Sequence, residues 1–115
     1  MKIKHVHYTD VKADAVSEEG AKGVKIRWLI NKEDGAPHFA MRVIEVDKGG
    51  CTPWHTHEWE HEVFILEGNG TLVTDEGAED FKEGDVIFVS PGEKHQFRNA
   101  GEGMLKFLCI VPHKS

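Results

Sequence analysis

The chain has 115 residues, 39% hydrophobic and 30% charged, which suits one globular domain with one core and excludes a disordered or membrane-embedded class. Its formal charge is −6 with 14 dispersed Lys and Arg residues, so the basic face that a nucleic-acid backbone requires is missing. No apolar run approaches the roughly 20 residues that span a bilayer, and Met1-Lys-Ile-Lys-His5 is charged from the start, so a cytoplasmic protein is expected.

Residues 1–24 read as an N-terminal arm. Ile3 to Tyr8 suits an edge strand in need of cover, and the polar, alanine-containing residues 10–23 have room for a helical turn. From residue 25 to 115 the pattern is that of a β domain. Runs rich in branched and aromatic residues predict strands over 24–30, 39–46, 63–67, 71–74, 85–89, 95–98 and 105–111. Turn residues separate them at Lys48-Gly-Gly50, Gly68-Asn-Gly70, Asp75-Glu-Gly77, Glu83-Gly84, Pro91-Gly92 and Gly101-Glu-Gly103. Many short strands without a helical period predict an all-β sandwich or barrel. Cys51 and Cys109 form no Cys-x-x-Cys pair and are expected to be reduced.

Chemistry is concentrated in His55-Thr-His57-Glu-Trp-Glu-His61 and in His95 of Ser90-Pro-Gly-Glu-Lys-His95. On a strand His55 and His57 would share a face, roughly 6–7 Å apart at Cα, close enough for both rings to lean onto one ion. Glu58-Trp59-Glu60 must bend the chain to bring His61 back, after which His61 shares parity with Val63 and Ile65. His95 follows a Pro-Gly turn and opens a strand with Phe97 on the same side. Neutral imidazole is a common ligand for transition metals, so His55, His57, His61 and His95 are the expected metal ligands.

The segment His57-Glu-Trp-Glu-His61 also matches the zinc-protease motif His-Glu-x-x-His, which works only on a helix. Pro53 upstream and the strand signal of Val63 to Leu66 downstream argue against that context. Glu62 has the parity opposite His61 and is expected in solvent. Glu58 and Glu60 are expected as turn carboxylates, with outer contact to a ligand imidazole as the alternative. Trp28, Trp54 and Trp59 are expected to pack, and His5, His7, His38 and His113 to lie on the surface.

These residues resemble the two cupin motifs. The first, a glycine, a His-x-His pair, a glutamate and a second glycine, is matched by Gly49, His55, His57, position 61 and Gly68. The second is matched by Gly84, Ser90, Gly92, His95 and Asn99, with Ser90 in place of a proline. His61 stands where the family usually has glutamate, which is similar to small single-domain cupins that bind manganese through four imidazoles. The resemblance implies a jelly-roll barrel, a homodimer, and a divalent metal inside, manganese(II) first, with Fe2+, Zn2+, Ni2+ or Cu2+ also compatible with the donors. It also places Arg42, Val63, Phe97, Phe107, Cys109 and Val111 at a cavity for a small-molecule ligand. Parity alone does not choose between Phe107, Cys109 and Val111 and the equally apolar Leu108 and Ile110. For Arg42 a surface ion pair and an anion clamp both remain open.

Four neutral ligands would leave the full charge on the ion and favour its reduced state, with open positions beside them. The expected function is a metal-dependent, dioxygenase-like oxidoreductase acting on a small oxygenated molecule. The alternatives are a non-catalytic sugar- or anion-binding module and a sugar isomerase-like enzyme.

Overall fold

A computed structural model describes residues 3–113 of the chain. The alternation of apolar and polar residues is expressed as nine strands among the described residues. They are β1 (Ala13–Ala15), β2 (Lys22–Ile30), β3 (Phe39–Cys51), β4 (His61–Glu67), β5 (Asn69–Thr74), β6 (Gly77–Lys82), β7 (Val86–Val89), β8 (His95–Asn99) and β9 (Leu105–Pro112). They lie in the order β6-β5-β8-β3-β9-β4-β7, with β2 also on β3 and β1 on β2, and all paired neighbours are antiparallel. The 13-residue β3 is the seam: it carries β2 and β9 along its length and reaches β8 at Cys51, opposite Arg98. The sheet thereby curls into a jelly-roll barrel.

The period of two decides what faces inward. Along β9, Leu105, Phe107, Cys109 and Val111 are buried while Lys106, Leu108 and Ile110 are only partly so. Along β4, His61, Val63 and Ile65 are buried and Glu62, Phe64 and Leu66 exposed. The core away from the histidines includes Val46, Ile65, Phe81 and Leu105. Each such buried aliphatic or aromatic side chain contributes about 1.5–3 kcal/mol of transfer free energy. The end of the barrel at which the histidines lie is left open.

Several local expectations are corrected. Residues 3–7 form no strand; the chain instead closes a 3-10 turn over Tyr8–Asp10. Side-chain contacts anchor residues 4–8: Lys4 donates to the Leu29 carbonyl, and the Tyr8 ring lies under both Arg27 and Lys106. Residues 10–23 hold the short strand β1 and a turn rather than a helix. Lys48-Gly-Gly50 is not a connection, because β3 runs through it. A side chain at Gly50 would stand 2.3 Å from the Lys22 carbonyl oxygen, so this glycine permits close approach of β2 across a register shift. The polar strand β6 gave no apolar signal, since only its Phe81 is buried. No helix among the described residues is long and apolar enough to cross a membrane. On the outer face of β4 and β7, Phe64, Leu66, Val86 and Phe88 are exposed together, a cluster of the kind that marks interaction surfaces.

Candidate metal centre

The segment from Thr52 to His55 is tied to β8 by a set of short bonds. Thr52 N–H donates to the Phe97 carbonyl, Phe97 N–H to Thr52 Oγ1, and Gln96 Nε2 to the Thr52 carbonyl. His55 and His95 then exchange both backbone hydrogen bonds, at 3.2 and 3.0 Å, so two of the four histidines sit side by side on an isolated bridge. His55 and His57 therefore converge from an irregular segment, not from a regular strand. The Ser90–Glu93 turn is closed by Glu93 N–H on the Ser90 carbonyl, with Gly92 at φ 82°, the conformation a type II turn needs at its third residue. Gly92 N–H also donates to the His57 carbonyl at 2.7 Å, joining this turn to the His55–His61 segment. Glu58 and Trp59 form the bend anticipated before His61, and His61 opens β4 facing inward. No helix is present there, so the protease motif lacks its context.

The four rings are gathered at the open end of the barrel. Ring centroids lie 4.1 Å apart for His55–His57, 5.2 Å for His57–His61, 5.0 Å for His61–His95 and 5.5 Å for His55–His95. Among the described residues no group of three or more His, Cys, Asp or Glu side chains stands ready to hold an ion as placed. What bears on a ligand is the way the ring nitrogens are used. His55 Nδ1–H donates to the Glu18 carboxylate at 2.9 Å, and His95 Nδ1–H to the Glu93 carbonyl at 2.9 Å. Each of those bonds places the proton on Nδ1 and the lone pair on Nε2, which in His55 lies within hydrogen-bond reach of His57 Nε2. His61 Nδ1 lies 3.7 Å from Cys109 Sγ, and its Nε2 is buried with no hydrogen-bond partner. An orphaned buried nitrogen costs about 1–3 kcal/mol unless something else occupies its lone pair. His55 Nε2 and His57 Nε2 are 3.1 Å apart, and two adjacent donors on an octahedral ion at about 2.0–2.1 Å per bond stand about 3 Å apart. Imidazole nitrogens are donors of the kind a transition metal takes, though as placed they do not enclose an ion.

Burial holds two of the rings, His61 and His95, in the neutral form. Burial first, then the charges of His95, Arg42, His57 and His55, push the His61 pKa from 6.5 to about 3. Burial also lowers that of His95, against the opposing hydrogen bond to the Glu93 carbonyl. Burial raises the Cys109 thiol, partly offset by Arg42.

Above the rings is a cavity of about 370 Å³, walled by Arg42, Phe97, Phe107, Cys109 and Val111 among others. The inward parity of β9 is therefore that of Phe107, Cys109 and Val111, not of Leu108 and Ile110. Val63 does not line it: although inward, it lies in the filled core, opposite Cys109 on β9. His113 is not a surface residue, since its ring bonds the Ala36 carbonyl at 2.7 Å and lines the cavity. Among the described residues Arg42 makes no ion pair; its Nη2 donates to Cys109 Sγ at 2.9 Å. Trp59 stacks on His57 at 4.3 Å, whereas Trp54 is outside the cavity under Lys94. Sequence reasoning missed Glu18 and gave Trp28 no role in the cavity. No local pattern marks Glu18, which reaches His55 across 37 positions.

Residues 42–111 match the family described as the cupin domain. The chain is 31% identical to the oxalate-binding protein of Thermotoga maritima over 112 residues, 92% of this chain and 91% of that protein. It is 38% identical over 68 residues to the (R)-mandelonitrile lyase of Granulicella tundricola, covering 58% of this chain and 52% of that enzyme. Among solved structures, the polyketide cyclase RemF of Streptomyces resistomycificus superposes with a TM-score of 0.92 at 44% identity, over 97% of this chain and 80% of that one.

Proposed function

The chain belongs to the cupin domain family, and from that premise we propose that its four imidazoles hold a divalent transition ion, manganese(II) or iron(II), at which a small oxygen-bearing organic molecule is bound and polarised. The observation that carries this reading is the partnerless buried Nε2 of His61 amid three other rings. Glu18 and the Glu93 carbonyl support it as outer contacts, because fixing the Nδ1 proton aims Nε2 inward and raises ring basicity.

When bound, such an ion supplies Lewis acidity toward a ligand oxygen. The chain's own residues supply the surroundings. Phe97, Phe107 and Val111 give the cavity apolar walls, next to which polar contacts are stronger than in water. Trp59 covers the His57 ring. Non-redox activation is favoured over the dioxygenase-like reaction expected from the sequence. The Cys109 thiol, 3.7 Å from His61 Nδ1, would be exposed to oxidation at a site that activates oxygen. The names of two relatives, oxalate binding and polyketide cyclisation, concern oxygen-rich molecules and point the same way.

Catechol tests the reading, since it is uncharged in solution and chelates through two oxygens. The protein loaded with manganese(II) should gain about 2.7 kcal/mol of stability at a catechol concentration 100-fold above its Kd, while metal-free protein should show no shift. Equal stabilisation of both forms in thermal melts would contradict a metal-centred site.

A further inference from the structure

We infer that the cavity selects a small, apolar-bodied organic monoanion whose charged oxygens, best those of a carboxylate, pair with Arg42. This deepens the reading above and rests on it only for the end of the ligand that meets the histidines. The inference starts from a charge without a counter-charge. The Arg42 guanidinium lies 5.4 Å from the Trp28 ring centroid, gives Nη2 to the Cys109 thiol, and keeps Nε buried with no partner. Among the described residues no carboxylate lies within ion-pair distance of it.

The contrast with Arg27 on β2 is informative. That arginine is paired with the buried Glu45 at 3.0 Å and donates to the Val11 carbonyl as well. The fold therefore neutralises one partly buried arginine and leaves the other facing a cavity. A guanidinium cannot shed its proton at neutral pH, so the cost of an unpaired charge in apolar surroundings is relieved only by an anion. Its planar fork matches a carboxylate in two parallel bonds.

The walls set the rest of the ligand. Among the described lining residues Arg42 is the only Lys or Arg, and Glu18 adds a negative charge at the same cavity. One cation suits one negative charge, and a doubly charged phosphate ester would lack a second partner. Ile26, Ile44, Phe107, Val111 and Trp28 give the body of the ligand an apolar, partly aromatic bed. A volume of about 370 Å³ stands near the lower end of the roughly 300–1,000 Å³ seen for small-molecule sites, so the ligand is small.

Calorimetric titration with benzoate, its neutral isostere benzamide and inorganic phosphate tests this on wild type, Arg42→Lys and Arg42→Met, each with and without manganese(II). Wild type should prefer benzoate over benzamide and over phosphate by at least tenfold, with or without the metal. Arg42→Met should erase that preference, leave manganese(II) affinity within about threefold, and raise the melting temperature of the ligand-free protein by about 4 °C or more. Arg42→Lys should fall between, keeping the charge and losing the fork. Benzoate binding that survives Arg42→Met, preference for phosphate, or an Arg42→Met protein that melts lower or fails to fold would overturn the inference. A wild type that binds no manganese(II) but still prefers benzoate through Arg42 would sink the metal reading and leave this one standing.

Discussion

Replacing His61 by alanine is expected to weaken manganese(II) binding by more than about 100-fold, beyond the 10–100-fold that follows loss of an outer partner. The variant removes a nitrogen that is buried, neutral and without any other hydrogen-bond partner, so no second role competes for it. Glu18→Gln should cost about tenfold instead. Its amide oxygen still accepts the His55 Nδ1 proton but withdraws the negative charge that makes the ring a stronger donor. His61→Glu should keep the ion, because carboxylate oxygen is also a ligand, and should shift its potential toward the oxidised state by placing a negative charge on it. Competition titrations with a chelator rank the three. Equal affinity of His61→Ala and wild type would remove His61 from the site.

Acid should destabilise the metal-free protein between pH 6.5 and about 3. The sign follows from proton uptake. An unfolded chain protonates His61 near its ordinary pKa of 6.5, whereas the folded protein resists until about 3. Within that window the unfolded state binds more protons, so stability present above pH 6.5 is lost as pH falls. At 1.36 kcal/mol per pKa unit, His61 alone accounts for roughly 4–5 kcal/mol across the whole window, against the 5–15 kcal/mol typical of a small domain. His95, also lowered by burial, acts in the same direction. Urea midpoints at pH 7, 6 and 5, above the range where most carboxylates titrate, read the effect, and His61→Leu should flatten the slope. A midpoint indifferent to pH over that range in wild type would contradict neutral burial of these rings.

The strands that carry the site were legible because alternation survives in them. His61, Val63 and Ile65 announce their common face, as do His95 and Phe97. The parity of Phe107, Cys109 and Val111 was not legible, since Leu108 and Ile110 are equally apolar and the choice is made by the register of β9 against β3 and β4. Glu18 was invisible for a similar reason: its partner is distant in sequence, and nothing in Val16-Ser-Glu-Glu-Gly20 distinguishes it from Glu19. Gly49 and Gly50 misled because the same glycines that make turns also let a strand bulge. Asn99, part of the second motif, turned out to be structural. Its side chain donates to the Val46 and Gly103 carbonyls and accepts from Gly101 N–H, closing the loop ahead of β9. Arg42 is a further case: its strand position is plain in the sequence, whereas the lack of a carboxylate beside it among the described residues is a property of the folded chain alone.

Four imidazoles of one chain are proposed to share one ion. Electron–nuclear double resonance on wild-type protein purified without affinity-tag metals and loaded with manganese(II) counts the bound nitrogens and detects exchangeable water. One ion per chain, four imidazole nitrogens and at least one exchangeable water are expected. Absence of a tightly bound ion, or fewer than four coupled nitrogens at full loading, would contradict it.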